Sequence, residues 1–128
     1  MYFSDIHHIA IICSDYERSK NFYTQILGFS IIRETYREGR KSFKLDLKVN
    51  ANTQVELFSF EQPPKRLTQP EACGLRHLAF AVADLDLVVH YLRESNITVE
   101  QIRLDELTGK RFTFFHDPDG TPLEIYES

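Results

Sequence analysis

The sequence predicts an α+β fold made of two βαβββ modules that form a curved, cupped mixed sheet. Two internal repeats carry this prediction. TQVELF at residues 53–58 recurs as TPLEIY at 121–126, and IHHIAII at 6–12 recurs as LRHLAFA at 75–81. Because both repeats have almost the same offset along the chain, the second half is interpreted as a copy of the first. In each half, strand-like alternation gives way to a helical pattern and then to three further strands.

The first module covers residues 5–60. Ser14 and Glu17 have the spacing of a capping box, which predicts a helix that starts near Asp15. Gly28 is placed to end this helix in a left-handed conformation. The dipeptide Glu38-Gly39 suits a hairpin turn. Segments with the composition and alternation of strands are 6–13, 29–37, 41–49 and 53–60.

The second module covers residues 74–128 of one single domain and follows a linker at 61–73, which contains three prolines. Asp84 is a plausible N-cap for a helix that runs to about Ser95. The sequence DPDG at 117–120 is typical of a turn. Strands are predicted at 75–82, 97–104, 111–116 and 121–127.

Composition limits the classes of function. The 128 residues carry a formal net charge of −4, which argues against general nucleic-acid binding. No apolar run approaches the roughly 20 residues that cross a bilayer, so no membrane partner is expected. The first residues lack the basic and apolar regions of a signal peptide. Because Cys13 and Cys73 form neither a CxxC motif nor a disulfide framework, a cytoplasmic location is predicted.

The repeats deliver four candidate metal ligands, since each module has one His early and one Glu late. Period-two alternation places each glutamate opposite aliphatic residues that suit packing on a helix, and a small alanine follows each histidine at the second position. Buried carboxylates are costly unless they are paired or bind a metal. Zn²⁺, Ni²⁺, Co²⁺, Fe²⁺ and Mn²⁺ all accept mixed nitrogen and oxygen ligands. The predicted ligands of one divalent metal ion are His8, Glu56, His77 and Glu124.

Other polar residues have simpler interpretations. A single His in a strand is more often structural than a ligand, which applies to His7, His90 and His116. The basic residues at 37–41 and at 110–111 are either solvated hairpin tips or clamps for a substrate carboxylate.

Together these stretches resemble the vicinal oxygen chelate superfamily. The resemblance covers nearly the whole chain and includes IHHIAI, NFYTQILGF, TQVELF, GLRHLAFAV and DPDGTPLEIYE. The order His, Glu, His, Glu is similar to that of glyoxalase I (lactoylglutathione lyase) and carries the metal ligands over to His8, Glu56, His77 and Glu124. The resemblance implies a glyoxalase/dihydroxybiphenyl dioxygenase-like fold and a homodimer.

The resemblance also implies an activity, namely methylglyoxal detoxification. The small-molecule substrate would be a thiol adduct, the hemithioacetal of a 2-oxoaldehyde, and the product a 2-hydroxyacyl thioester. Glu124 would transfer the proton, with Glu56 as its counterpart. The alternatives are an epimerase, a dioxygenase, a thiol transferase or a non-catalytic small-molecule-binding module.

Overall fold

The structure is a computed structural model that describes residues 1–128 and divides into two compact units, Met1–Pro64 (unit 1) and Lys65–Ser128 (unit 2). Each unit has the element order predicted from the sequence, so the α+β class and the βαβββ pattern are confirmed. Unit 1 comprises β1 His8–Cys13, α1 Tyr16–Asn21, β2 Ser30–Arg37, β3 Ser42–Lys48 and β4 Gln54–Ser59, and unit 2 comprises β5 Leu78–Val82, α2 Leu85–Glu94, β6 Arg103–Asp105, β7 Lys110–His116 and β8 Pro122–Glu127.

Both units contain a four-stranded mixed sheet with the same topology. The order is β1-β4-β3-β2 in unit 1 and β5-β8-β7-β6 in unit 2. In each sheet the first and last strands of the unit pair in parallel, and the remaining pairs are antiparallel. This topology makes residues from the two ends of a unit direct neighbours, which is what a site built from an early His and a late Glu requires.

The helices begin at aspartate caps. Asp15 accepts a hydrogen bond from the Arg18 backbone N–H at 3.2 Å, and Asp84 accepts one from Leu87 at 3.0 Å. The first helix therefore starts where predicted, but Asp15 caps it instead of Ser14. It continues into a π-helical turn at Phe22–Ile26 and ends before Gly28, whose φ of 79° confirms the predicted left-handed stop.

Apolar residues on one face of each sheet form the core. Val55 and Leu57 on β4, and Leu123 on β8, are completely buried, as the alternation predicts. Helix α1 packs against β4, and helix α2 packs against β8. Cys13 is also buried, whereas Cys73 is exposed. Neither helix is long and apolar enough to span a bilayer.

Two predicted segments differ from the structure. The strand expected at 97–104 is reduced to the short β6. Glu100 still contacts β7, because its N–H donates to the Phe114 carbonyl and its own carbonyl accepts from the Thr113 hydroxyl, but these bonds do not form a regular ladder. The hairpin between β2 and β3 turns through a 3₁₀ segment at Glu38–Arg40, and Lys41 takes the left-handed conformation at φ 47°. The predicted hairpin turn at Glu38-Gly39 is therefore confirmed, although the turn is longer than this dipeptide.

Candidate functional site

Unit 1 brings His8 and Glu56 together. His8 is the first residue of β1, and its Nδ1 lies 3.5 Å from a carboxylate oxygen of Glu56 on β4. The parallel register sets Ala10 beside Glu56, so the small side chain leaves space over the carboxylate. Glu56 is only 8% exposed, while His8 is exposed. The pair therefore consists of a buried acid with an accessible imidazole at its rim.

The carboxylate of Glu56 also belongs to a charged cluster that sequence reasoning missed. Asp46 on β3 lies directly opposite Glu56 in the antiparallel register and is 5% exposed. Lys44 joins the two acids, because its Nζ lies 3.4 Å from Asp46 and 3.8 Å from Glu56. The alternation of charged Lys44 and Asp46 with two leucines is the signal that places both on the face of Glu56.

Unit 2 brings His77 and Glu124 together more closely. The Nε2 atom of His77 lies 2.9 Å from a carboxylate oxygen of Glu124 on β8. Ala79 is the register partner of Glu124, just as Ala10 is the partner of Glu56. On the other side of Glu124 the register partner is Phe114, whose ring meets the His77 ring edge-on at 5.1 Å. Glu124 is 8% exposed, so its carboxylate is largely buried between the His77 imidazole and the Phe114 ring.

A pocket of about 510 Å³ opens beside this second pair. Its wall includes His77, Glu124 and the rings of Phe112 and Phe114, with the guanidinium of Arg103 placed 5.2 Å from both ring centres. The combination offers an apolar surface and cationic groups next to the acid and the imidazole. A pocket of this kind suits a small organic molecule with polar substituents.

Arginines and glutamates at the pocket mouth are largely paired. Arg103 binds Glu100 at 2.9 Å, and Arg76 binds Glu71. The hydrogen bond from Arg76 holds the pKa of the Glu71 carboxyl below its usual range. Arg66 differs, because its Nη2 donates to two backbone carbonyls.

Two aromatic residues on the glutamate strands do not belong to the wall of this pocket. Tyr126 shares the strand of Glu124, but its hydroxyl donates to Asp105 at 2.8 Å instead of lining the pocket. That hydrogen bond, with one from the Leu107 backbone, lowers the pKa of Asp105. Phe58 lies in unit 1 beneath the guanidinium of Arg37 at 4.8 Å. The aromatic wall of the pocket comes instead from β7.

One of the predicted basic clusters has a structural role. Arg111 binds Asp86 at 2.9 Å and Glu127 at 3.1 Å, which ties helix α2 to the sheet of unit 2. Hydrogen bonds to Asp86 and then to Glu127 raise the pKa of the Arg111 guanidinium. A cation already neutralised by two carboxylates is poorly suited to clamp a substrate anion.

A comparison with known protein families identifies the group to which the chain belongs. Residues 5–125 match the family model described as Glyoxalase/Bleomycin resistance protein/Dioxygenase superfamily. The chain is a member of this superfamily. This result confirms the resemblance found in the sequence.

Close relatives in the superfamily match the chain over nearly its whole length. The chain is 63% identical over 127 residues to the uncharacterized protein YwkD of Bacillus subtilis (strain 168), with 99% of each chain covered. It is 58% identical over 122 residues to the uncharacterized protein YaeR of Escherichia coli (strain K12), with 95% of each covered. A crystal structure of a glyoxalase family protein from Enterococcus faecalis is 48% identical with a TM-score of 0.93, covering 99% of this chain and 100% of that one.

More distant superfamily members are named for their activities. A 2-epi-5-epi-valiolone epimerase from Actinomyces sp. is 28% identical over 141 residues, covering 94% of this chain and 77% of the epimerase. Glyoxylase I 4 from Arabidopsis thaliana is 28% identical over 134 residues, covering 98% of this chain and 71% of that protein.

The two His–Glu pairs fit the chemistry of a metal ligand set. Neighbouring ligands about 2.1 Å from a metal ion are roughly 3.0 to 3.4 Å apart in octahedral or tetrahedral geometry. The nitrogen-to-oxygen distances of 2.9 Å and 3.5 Å are close to this range. Within each unit no third His, Cys, Asp or Glu completes a group that could hold a metal ion, so each unit has at most two candidate ligands.

Proposed function

We propose that this chain is a metal-dependent glyoxalase I-like enzyme. In this proposal it converts the hemithioacetal of a 2-oxoaldehyde and a thiol to a 2-hydroxyacyl thioester. The observation that carries the proposal is the buried glutamate beside a histidine in each unit, in the same register with a neighbouring alanine. Membership of the superfamily and the likeness to a protein called Glyoxylase I 4 add support.

His8, Glu56, His77 and Glu124 are the proposed ligand set for one divalent ion, with Ni²⁺, Zn²⁺, Co²⁺ and Fe²⁺ as the candidates. When bound, the ion would supply Lewis-acid polarisation of the two adjacent oxygens of the substrate. The ligand set is drawn either from one chain or from two copies in a homodimer. Light scattering of the purified protein distinguishes a monomer from a dimer.

The proposed proton transfer uses the carboxylates. Glu124 takes the proton from C1 of the hemithioacetal and returns it to the adjacent carbon, and Glu56 is its counterpart. The surroundings support this assignment, since Glu56 has Lys44 and Asp46 as charged neighbours, whereas Glu124 faces Phe114 and borders the pocket. The phenyl rings of the pocket wall would exclude water from the reacting carbons.

The first experiment is an assay of thioester formation from methylglyoxal and several thiols. The protein is stripped of metal and reloaded separately with each candidate ion. We expect turnover that depends on the ion, and a loss of roughly 10²- to 10⁴-fold for Glu124→Gln, the size of a general-base contribution. Metal content is measured for each variant, so that lost ligation is separated from lost proton transfer.

Glu127→Gln is the matched control, because Glu127 lies on the same strand but binds Arg111 instead of the His–Glu pair. This control should retain turnover. Full activity in both Glu124→Gln and Glu56→Gln would show that the proton-transfer roles are wrong. Absence of turnover with every ion and thiol would reject the glyoxalase proposal.

A second candidate is an epimerase that moves a proton at a carbon beside a carbonyl group. The likeness to a 2-epi-5-epi-valiolone epimerase favours it, and the same pair of carboxylates would serve. The two reactions differ in their need for a thiol. Exchange of deuterium from D₂O into a ketone substrate without any thiol would favour the epimerase.

A further inference from the structure

The parallel strand pairs of the two units begin differently. In unit 1 the Gln54 backbone N–H donates to the carbonyl of His7 at 3.0 Å, and the ladder starts with His8 beside Gln54. The residue equivalent to Gln54 in unit 2 is Pro122, which has no N–H to donate. The ladder of unit 2 consequently starts one position later, with Leu78 beside Leu123.

This late start leaves the backbone before His77 without its ladder donor. The carbonyl of Arg76 is the equivalent of the His7 carbonyl that Gln54 holds in unit 1. In unit 2 the donor is a side chain from the segment that precedes β5. Nη2 of Arg66 donates to the Arg76 carbonyl at 2.9 Å and to the Leu75 carbonyl at 2.8 Å.

The imidazole of His77 is oriented at one nitrogen only, because its Nε2 lies 2.9 Å from Glu124 and its ring meets Phe114 edge-on, while the other nitrogen has no such contact. Metal-binding histidines usually donate their second ring nitrogen to a carbonyl or carboxylate, which sets the angle of the ring. The Nδ1 atom of His77 is buried and has no hydrogen-bond partner. The reach of its Nε2 to Glu124 therefore also depends on the backbone that enters β5, and that backbone is held by Arg66.

We propose that Arg66 is a positioning residue, which replaces the hydrogen bond that Pro122 cannot make and thereby holds His77 beside Glu124. Arg66 suits this task because its planar guanidinium presents several donors in a fixed arrangement. The proposal rests on the proposed function only where it concerns metal binding. The placement of the His77 ring can be measured without any metal.

The experiment compares wild type with Arg66→Gln, Pro122→Gln and the double variant. Pro122→Gln introduces the residue that unit 1 has at this position and restores the missing N–H. Ring signals of ¹⁵N-labelled histidines are recorded by NMR on the metal-free protein, with His8 as an internal reference. Co²⁺ affinity is then measured by titration.

We expect Arg66→Gln to shift or broaden the ring signals of His77, to leave those of His8 unchanged, and to weaken Co²⁺ binding roughly tenfold, as for other residues behind metal ligands. The double variant should recover the wild-type signals and affinity. Arg76→Gln is the matched control, since it removes the same charge from the pocket mouth but its guanidinium binds Glu71. It should leave the His77 ring unchanged.

Unchanged His77 signals in Arg66→Gln, or no recovery in the double variant, would overturn the proposal. If Arg66→Gln does not fold, the same cycle is run with Arg66→Lys, which keeps the charge but loses the planar fork. The ring signals could change in Arg66→Gln and recover in the double variant even though wild type does not bind Co²⁺. That result would support the positioning role of Arg66 and reject the metal site of the proposed function. Thermal melting of each variant shows whether a change is local.

Discussion

The two units share a backbone plan but surround their glutamates with different chemistry. In both, an alanine on the first strand is the register partner of the glutamate on the last strand. The residue on the opposite side of the glutamate is Asp46 in unit 1 and Phe114 in unit 2. Equivalent positions on these strands also hold Lys44 and Phe112. Topology thus fixes where the acid lies, while the neighbouring strand decides whether a charged or an apolar residue lies opposite it.

The largest loss of unfolding free energy is expected when Lys44 in unit 1 is replaced. Lys44→Met leaves the buried Asp46 and Glu56 facing each other without the ammonium group that lies between them. Arg33, at 3.8 Å from Asp46, remains as a more exposed partner. Loss of one partner from a buried ionic group costs about 3 kcal/mol of unfolding free energy. Urea unfolding of the metal-free protein at neutral pH measures it.

Two control variants sharpen this test. Phe112→Met, at the equivalent position of unit 2, changes no charge and should cost about 1 kcal/mol. The double variant Lys44→Phe with Asp46→Phe gives unit 1 the apolar pair of unit 2 and should recover much of the loss, because buried ion pairs are often replaceable by apolar residues. Equal losses for Lys44→Met and Phe112→Met would contradict the role assigned to the charged cluster.

An intermediate loss of unfolding free energy is expected when the turns that precede β4 and β8 are altered. Asp117 Oδ1 accepts hydrogen bonds from the backbone of Asp119 and Thr121, and Asn50 Oδ1 accepts them from Asn52 and Thr53. Asp117 is buried whereas Asn50 is exposed. Asp117→Ala should therefore cost about 2 kcal/mol and Asn50→Ala about 1 kcal/mol. Thermal or urea unfolding that ranks them in reverse would show that burial does not control the strength of these turns.

The smallest loss of unfolding free energy is expected at the hydrogen bonds that connect helix α1 to β2. Glu34 binds Lys20 at 2.7 Å and Tyr16 at 2.5 Å, and the hydrogen bond from Lys20, then that from Tyr16, lowers the pKa of Glu34. A lowered folded-state pKa gives stability that is fully present above the unfolded pKa and is lost as pH falls through the folded one. Since the side chain of Glu34 is 36% exposed, solvent screening limits Glu34→Gln to about 0.5 kcal/mol at neutral pH.

The check is a pair of unfolding curves for wild type and Glu34→Gln. They should differ at neutral pH and converge in acid, and added salt should reduce the difference. A difference that grows as pH falls would mean that the ionised Glu34 does not stabilise the folded state. The corresponding contact in unit 2 is the salt bridge between Arg111 on β7 and Asp86 on α2.

Much of the fold and part of the site could be predicted because they depend on local patterns. Alternation placed Glu56 and Glu124 opposite the buried aliphatic residues, and the repeat paired each glutamate with the correct histidine. The aspartate caps and the stop at Gly28 follow from short-range rules. The meeting of the two pairs around one ion stays a prediction.

Features that depend on strand register, or on side chains that bond to another segment, could not be predicted in this way. Asp46 looks like an ordinary surface charge until the register shows Glu56 beside it. Arg66 lies in a proline-rich segment predicted as a linker, and only the structure shows its bond to the backbone before His77. The short β6 likewise reflects a side-chain hydrogen bond from Thr113 that no periodicity indicates.

The contrast between the two cysteines has a practical consequence. Cys13 is sealed within β1, whereas Cys73 is exposed and follows Ala72, a residue of the pocket wall. A maleimide dye would thus attach at a single natural position next to the pocket mouth. Fluorescence from that dye would report the arrival of a ligand without engineering of the chain.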